Sequence, residues 1–396
     1  MQALILSDLH LGSAARADLL RAPEIQDRLL ERAREAERVV LLGDVLELRH
    51  GPAQLALEAA APLLRGLGAA LEGREVVICP GNHDHALIAG AIARRTEERG
   101  GSLSLEERLP EHTFGGTLQA LADLIAPARL TVSYPGIFLR EDVYAMHGHF
   151  LDAHVTIPTL ERLGVGTMAR VLGRAPASLQ EVVDYEALCS PLYAWIDAVA
   201  RQGPTNAALN GSVTVRAWHA LGGGDTTHWL PDRSGPIGQV RSRLQALWPA
   251  LGRRAAKRAF PLVIAALNRA GLGPLKAELS AGELRRAGLL AAGEVADRLG
   301  LEQRYFIFGH THRAGPLPAD RQEEWRGRGG ARLLNTGCWT YERAFLRPVQ
   351  PAANPYWPGS CVVLEEGQPP RLERLLLDLE RSELDRARAG GVAAAA

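Results

Sequence analysis

The sequence predicts an α/β fold interrupted by one large helical insertion. Three observations predict it. Short runs rich in Val, Ile and Leu recur over residues 1–150, separated by stretches with apolar residues at helical spacing. Residues 151–302 keep the helical spacing and lose the strand runs. Strand runs then return from 305 onward. The core is therefore expected to be discontinuous, 1–150 with 303–380, and 151–302 is expected to form a cap or lid.

Each element follows from its local pattern. "ALILS" (3–7), "RVVLL" (38–42) and "EVVICP" (75–80) are short and almost wholly apolar, as parallel strands buried on both faces should be. The stretches at 22–39 and 52–71 between them carry apolar residues at helical spacing. "RLTVSY" (129–134) and "VYAM" (143–146) read as two further strands. The insertion is mostly Ala, Leu and Arg, broken by Gly/Pro segments such as "LGGGDTTHWLPDRSGPIG". Strands are expected again at 305–309, 332–337, 360–367 and 371–378. The low-complexity end of the chain, 385–396, is expected to be a disordered tail.

Composition narrows the function. Of 396 residues 46% are hydrophobic and 23% charged, enough apolar material for a full core. Lys+Arg and Asp+Glu balance at 45 each, so no global field recruits nucleic acid, and 5% aromatics give no stacking track. Four cysteines lie far apart without a C-x-x-C pair, which excludes a dense disulfide framework and a Cys-based zinc site. Cys79 and Cys361 sit in strand runs and read as buried thiols. No basic leader precedes "ALILS", and no apolar run reaches the about 18–20 residues that span a bilayer. A cytoplasmic, soluble protein is expected. Oligomeric state is open.

The chemistry gathers at strand ends. Asp8 and His10 follow the first strand, Asp44 and Glu47 the second, and Asn82, His83, Asp84 and His85 the third. His147 and His149 follow "VYAM", and His310 and His312 follow "YFIF". Each cluster alone reads as turn chemistry. Together they hold seven of the chain's 12 histidines, which independent turns would not collect. Parallel strands deliver such ends to one sheet edge, where open α/β folds build their sites. The donors are oxygen and imidazole without thiolate, a set suited to Mn, Fe, Zn or Co. They are too many for one ion. Two ions ~3.5–4 Å apart, bridged by a carboxylate, would use them all.

The ordered blocks D-x-H, G-D-x-x-E, G-N-H-D, H-G-H and G-H-x-H resemble those of the calcineurin-like metallophosphoesterase superfamily. The resemblance covers the discontinuous core and leaves the insertion unassigned. It implies a four-layer fold, two packed β-sheets flanked by helices, with a dimetal site at the sheet edge. By position it implies Asp8, His10 and His312 on the first metal, Asn82, His147 and His310 on the second, and Asp44 bridging both. It implies two divalent cations, manganese first, with iron, zinc or cobalt as alternatives. The implied activity is hydrolysis of phosphate ester or pyrophosphate bonds by a metal-bridging hydroxide. His83 would be the general acid, oriented by the carboxylate of Glu47, where the family more often has Asp.

Several residues keep two readings. Glu reaches one methylene further than Asp, so Asp84 is an alternative partner for a ring. His149 rivals His147 as ligand, and His154 is an extra imidazole. His85 either touches substrate or is exposed. Asp152 either fixes an imidazole or caps a helix. Arg49 and His50 either reach substrate or face solvent. Asn335 and Gly337 read as a structural turn.

The insertion leaves the core after His147 and returns before His310, so substrate choice is expected there. Residues 240–260 hold Arg241, Arg243, Arg253, Arg254, Lys257 and Arg258 with no acid, beside Leu244, Leu247, Trp248 and Leu251. This stretch reads as a solvated helix face, a lid gripping phosphate or nucleotide, or an interfacial helix meeting anionic lipid. A helical lid at this point resembles the UDP-diacylglucosamine pyrophosphatases, although this insertion is much longer and holds no matching motif. A hydrolase of a lipid-linked or nucleotide pyrophosphate is thus one alternative. A non-catalytic metal-binding scaffold is the other. Such relics usually lose the GNH histidine or the bridging carboxylate, and both are present here. The expected partner is a phosphorylated small-molecule or lipid substrate, not nucleic acid.

Overall fold

The computed structural model describes residues 2–201, 259–346 and 349–390. The basic segment expected over 240–260 lies outside them except for its last two residues, and so do residues 391–396 of the tail.

The fold is mixed α/β around a large mixed sheet. Its strands are β1 (Ala3–Leu6), β2 (Arg38–Leu41), β3 (Glu75–Ile78), β4 (Glu106–Leu109) and β5 (Arg129–Arg140). After them come β6 (Val143–Met146), β7 (Tyr305–Phe308), β8 (Arg332–Asn335), β9 (Ser360–Leu364) and β10 (Arg371–Arg374). Every run read as a strand is one. The order is β10-β9-β1-β2-β3-β5-β6-β7-β8, with β4 paired to β5. β1, β2, β3 and β5 run parallel, as do β6, β7 and β8. β5 meets β6 antiparallel, and β9 flanks β1 antiparallel.

β5 joins the two halves of this path. Its start, Arg129–Val132, pairs with β3, and its end, from Gly136, pairs with β6. Gly136 permits the turn of register, because a Cβ there would collide with the Ala145 carbonyl oxygen. Side chains alternate along each strand. Leu4 and Leu6 join the large core under the helices, whereas Ala3 and Ile5 join a second apolar cluster. That cluster draws on both halves: Val40 and Val77 from one, Ile137, Ala145 and Ile307 from the other.

The helices follow their apolar stripes. Pro23–Arg34 starts with Pro in its first turn and buries Ile25, Leu29 and Ala33. Ala53–Ala70 buries Leu57, Ala60, Leu64 and Leu67. Among its described residues the insertion is helical, as expected, and holds no strand. Leu160–Val171 is capped by Thr159, whose side chain accepts from the Arg162 amide. Val182–Ala200 opens with a capping box between Glu181 and Asp184. Residues 259–269 are helical, and Ala281–Arg298 is capped by Ser280.

Two features differ from the expectation. β4 was unforeseen because "EERL" looks like surface; its Glu107 is buried and accepts from Ser104 while pairing with Arg95 and Arg99. The tail is not disordered from 385. Arg381–Gly390 is a helix that buries Leu384 and Ala387, and Tyr341 donates to Asp385 at 2.6 Å. All four cysteines are free and buried. Among the described residues no helix is long and apolar enough to cross a membrane.

Candidate metal centre

The loops after β1 and β2 stay side by side beyond the strands. Asp8 N donates to Gly43 O at 3.1 Å and His10 N to Asp44 O at 2.8 Å. Here the backbone is bent into an unusual region. Six non-glycine residues among those described have positive φ, and five of them are Asp8, His10, Asp44, His310 and His312. Single residues held there carry strain that surrounding structure must sustain, a pattern concentrated at functional sites. The motif glycines make the close approach feasible. A Cβ at Gly43 would strike the His147 ring, one at Gly81 would strike Asp44 Oδ1, and one at Gly309 would strike Ser7 and Asp8.

Two donor sets converge. Asp8 Oδ1 lies 3.2 Å from His312 Nε2, which lies 3.2 Å from His10 Nε2. Asp44 Oδ2 lies 3.6 Å from His10 Nε2 and 3.3 Å from His147 Nε2. Asp44, His147 and His310 each offer a donor atom within 4.8 Å of the others, as do Asp8, His10 and His312. The Asn82 amide oxygen stands 3.2 Å from His147 Nε2 and 3.2 Å from His310 Nδ1. Turned over, that amide would donate to both rings and accept from Arg49 instead; oxygen toward the rings is the orientation a cation would require. All seven residues expected as ligands are therefore brought together, with Asp44 placed between the sets.

These residues fit divalent cations. Asp8 Oδ1 is buried and has only the His312 ring beside it, while Asp8 Oδ2 accepts from Ser7 and from the His310 amide. The other ring nitrogens are already engaged. His147 Nδ1 donates to Leu42 O at 2.9 Å, His10 Nδ1 faces Glu47 at 3.1 Å, and His312 Nδ1 meets Thr340 at 3.3 Å. His310 Nε2 lies 3.1 Å from Asp152 Oδ2. Each imidazole is thus oriented through its outer nitrogen and turns the inner one to the centre, the usual arrangement behind metal-binding histidines.

Electrostatics agree. Burial pushes the Asp8 carboxyl up, but His312 outweighs it and holds Asp8 at about 2. Burial pushes His147 down, but Asp44 and Asp8 raise it to about 9. Buried carboxylates here demand positive charge, which protons or metal ions can supply.

Glu47 and His83 form a dyad beside the sets. Glu47 Oε1 and Oε2 lie 2.9 and 2.8 Å from His83 Nδ1. His83 also approaches His10 and Asp44; with Nδ1 taken by Glu47, its Nε2 has Arg49 Nη1 at 3.4 Å, and the ring lines the adjoining cavity. Burial lowers the His83 pKa; Glu47 offsets this only in part.

The open readings resolve by geometry. Asp84 orients no ring. Its carboxylate accepts from the amides of Gly81 at 2.6 Å and Val45 at 2.7 Å, bracing the loops that carry Asn82 and Asp44. Burial and the charge of Asp44 push Asp84 up to about 6. His85 neither lines the cavity nor is exposed; it is buried with Nε2 2.8 Å from Glu186. Among the described residues His149 joins neither donor set. It stacks on Tyr134 and shares a 3.1 Å contact with its hydroxyl. His154 meets the Tyr185 hydroxyl at 2.8 Å. His50 is buried behind Glu47 and accepts from Ala14 N. Arg49 is buried at the site's edge, with Nη1 3.4 Å from His83 Nε2 and 3.2 Å from Glu161. Asp152 Oδ2 stands within ion-pair distance of the His310 ring. Asn335 pins the G-H-x-H loop, donating to Gly309 O and Thr311 Oγ1 at 2.9 Å each.

Sequence reasoning missed Ser7, Thr340 and Glu161, and Thr336, whose hydroxyl lies 2.6 Å from that of Ser7. Ser7 and Thr340 each neighbour a marked motif or strand, but only contacts across the chain reveal their partners. No protein-family model and no curated protein matches this chain.

Proposed function

We propose that this protein is a dimetal-dependent phosphoesterase of the calcineurin-like metallophosphoesterase type. The observation that carries this reading is Asp44 set between two donor triads, beside a histidine dyad that faces a cavity. The apolar cluster shared by the two halves of the strand path supports reading them as two packed layers, as that family would have it.

Asp8, His10 and His312 would hold one divalent ion, and Asn82, His147 and His310 the other, with Asp44 common to both. Bound there, such ions would supply charge for phosphoryl oxygens and lower the pKa of water. The protein's own residues would do the rest. Glu47 accepts a hydrogen bond from His83 Nδ1–H and favours the doubly protonated ring, whose Nε2–H would pass to the leaving oxygen, the ring then being reprotonated from solvent before the next turnover. Leu42 O would fix the tautomer of His147, and Thr340 and Asp152 would orient the rings of His312 and His310. The same parts serve a phosphate ester or a pyrophosphate. A relic scaffold would have no need of the intact Glu47–His83 pair.

The test is turnover of soluble phosphomonoesters and phosphodiesters by Mn²⁺-loaded protein, with metal content measured alongside. His83→Ala should keep its metal and lose ~10²–10⁴-fold in turnover. Bound metal without turnover of any phosphoester in the wild-type protein would favour the scaffold. Loss of metal in His83→Ala would overturn the division of roles.

A further inference from the structure

The donor sets form one end of a much larger chamber. A cavity of about 600 Å³ begins at Asp44, Asn82, His83, His310 and His312 and extends beneath the insertion. That volume falls in the range that encloses a sizeable ligand. Its walls come from three segments of the insertion. Ile157 and Leu163 line it from one, Phe260 and Leu267 from the second, Leu284 and Leu289 from the third. Trp325 and Phe345 add apolar surface from the core.

Most charged groups on the wall away from the metal donors have partners, although Trp325 Nε1 and Arg285 Nε are buried without a hydrogen bond. Arg313 meets Asp320 at 2.6 Å and Arg285 meets Glu324 at 2.7 Å. Glu161 holds Arg49, Thr159 caps its helix, and Asn335 pins a loop. A nucleobase or sugar would find few groups to bind without breaking these pairs. An alkyl chain needs none. The rim carries apolar surface as well: Leu160 and Val263 line the chamber and are 60% and 50% exposed.

We propose that the substrate is an amphiphile, its phosphate at the donor sets and an alkyl or acyl chain in this chamber. The inference rests on the phosphoesterase reading and names its substrate class. The chain contributes affinity through apolar burial, ~3–4-fold per methylene until the chamber is filled.

Calorimetric binding of non-hydrolysable alkylphosphonates to Mn²⁺-loaded protein tests it, using ethyl, butyl, octyl and dodecyl chains below their micelle concentrations. Affinity should climb with chain length and then level off. Gly288 lies on the chamber wall within helix Ala281–Arg298, and a Cβ there meets only Thr311 Cγ2 at 3.5 Å. Gly288→Phe should therefore occupy chamber space and move the plateau to shorter chains. Ile264→Trp should do the same from the helix at 259–269, which covers the case in which Gly288→Phe fails to fold.

A flat chain-length profile, with soluble phosphoesters still turned over, would overturn this inference and leave the phosphoesterase reading standing. Equal binding of alkyl alcohols and alkylphosphonates, with no phosphoester turnover, would overturn both. A nucleoside diphosphate binding more tightly than octylphosphonate would also overturn it.

Discussion

One oxygen of Glu47 reaches two rings. Oε2 lies 2.8 Å from Nδ1 of His83 and 3.1 Å from Nδ1 of His10. The extra methylene that distinguishes Glu from Asp thus lets one carboxylate orient the proposed acid and a proposed metal ligand together. Burial pushes this carboxyl up, but His83 and His10 outweigh it and hold it well below its ordinary value. Glu47→Asp should lose reach, and Glu47→Gln should lose charge while keeping size. Outer partners of this kind are worth ~10–100-fold in metal affinity or activity. Both variants should therefore weaken Mn²⁺ binding in a metal titration as well as slow turnover. Full metal affinity in both would show that the contact with His10 is incidental.

Asp152 acts on one set only. It lies 3.1 Å from His310 Nε2, on the ring's far side from Asn82. Asp152→Asn should weaken one of two metal-binding events by ~10–100-fold and spare the other. Two-site titration by calorimetry separates them. Equal weakening of both sites would contradict the assignment of His310.

Gly81 leaves no room for a side chain. An added Cβ would press on Asp44 Oδ1 and the buried His147 ring. Overpacking of this kind costs ~1–3 kcal/mol. Gly81→Ala should lower the melting temperature and the metal stoichiometry together, measured by thermal denaturation and elemental analysis. Wild-type stoichiometry in the variant would show that the loop can shift.

Glu186 ties the insertion to the core through Tyr134 and His85, at 2.5 and 2.8 Å. Burial raises its pKa, but these partners more than offset that and leave it below the usual 4.5. A carboxyl lowered on folding stabilises the native state above its unfolded pKa and loses that contribution as pH falls through the folded value. The metal-free protein should thus lose stability below about pH 4.5, and Glu186→Gln should lose less over the same range. Denaturant midpoints measured from pH 7 downward give the comparison. Parallel curves would remove Glu186 from the account.

Much of this was legible in the sequence. Strands announce themselves locally, because a short run of Val, Ile and Leu buried on both faces needs no partner to be recognised. The donors were legible for a related reason: each directly follows such a run, and parallel strands gather their ends at one edge. What the sequence could not show was which atom of each side chain is engaged, and by what. Asp84 looked like a candidate for orienting a ring, and its oxygens are taken by backbone amides. His85 and His149 looked like site residues, and they are buried against Glu186 and Tyr134. β4 hid behind a run of charged residues that turn out to be paired. Asp8 meets His312 across some 300 residues of chain. The chamber forms only where three segments of the insertion pack beside the donor sets. Local pattern therefore determined the strands, the helices and the roster of donors. Tertiary packing alone decided their pairing, their tautomers and the apolar space beside them, because those depend on contacts between residues that no short stretch contains.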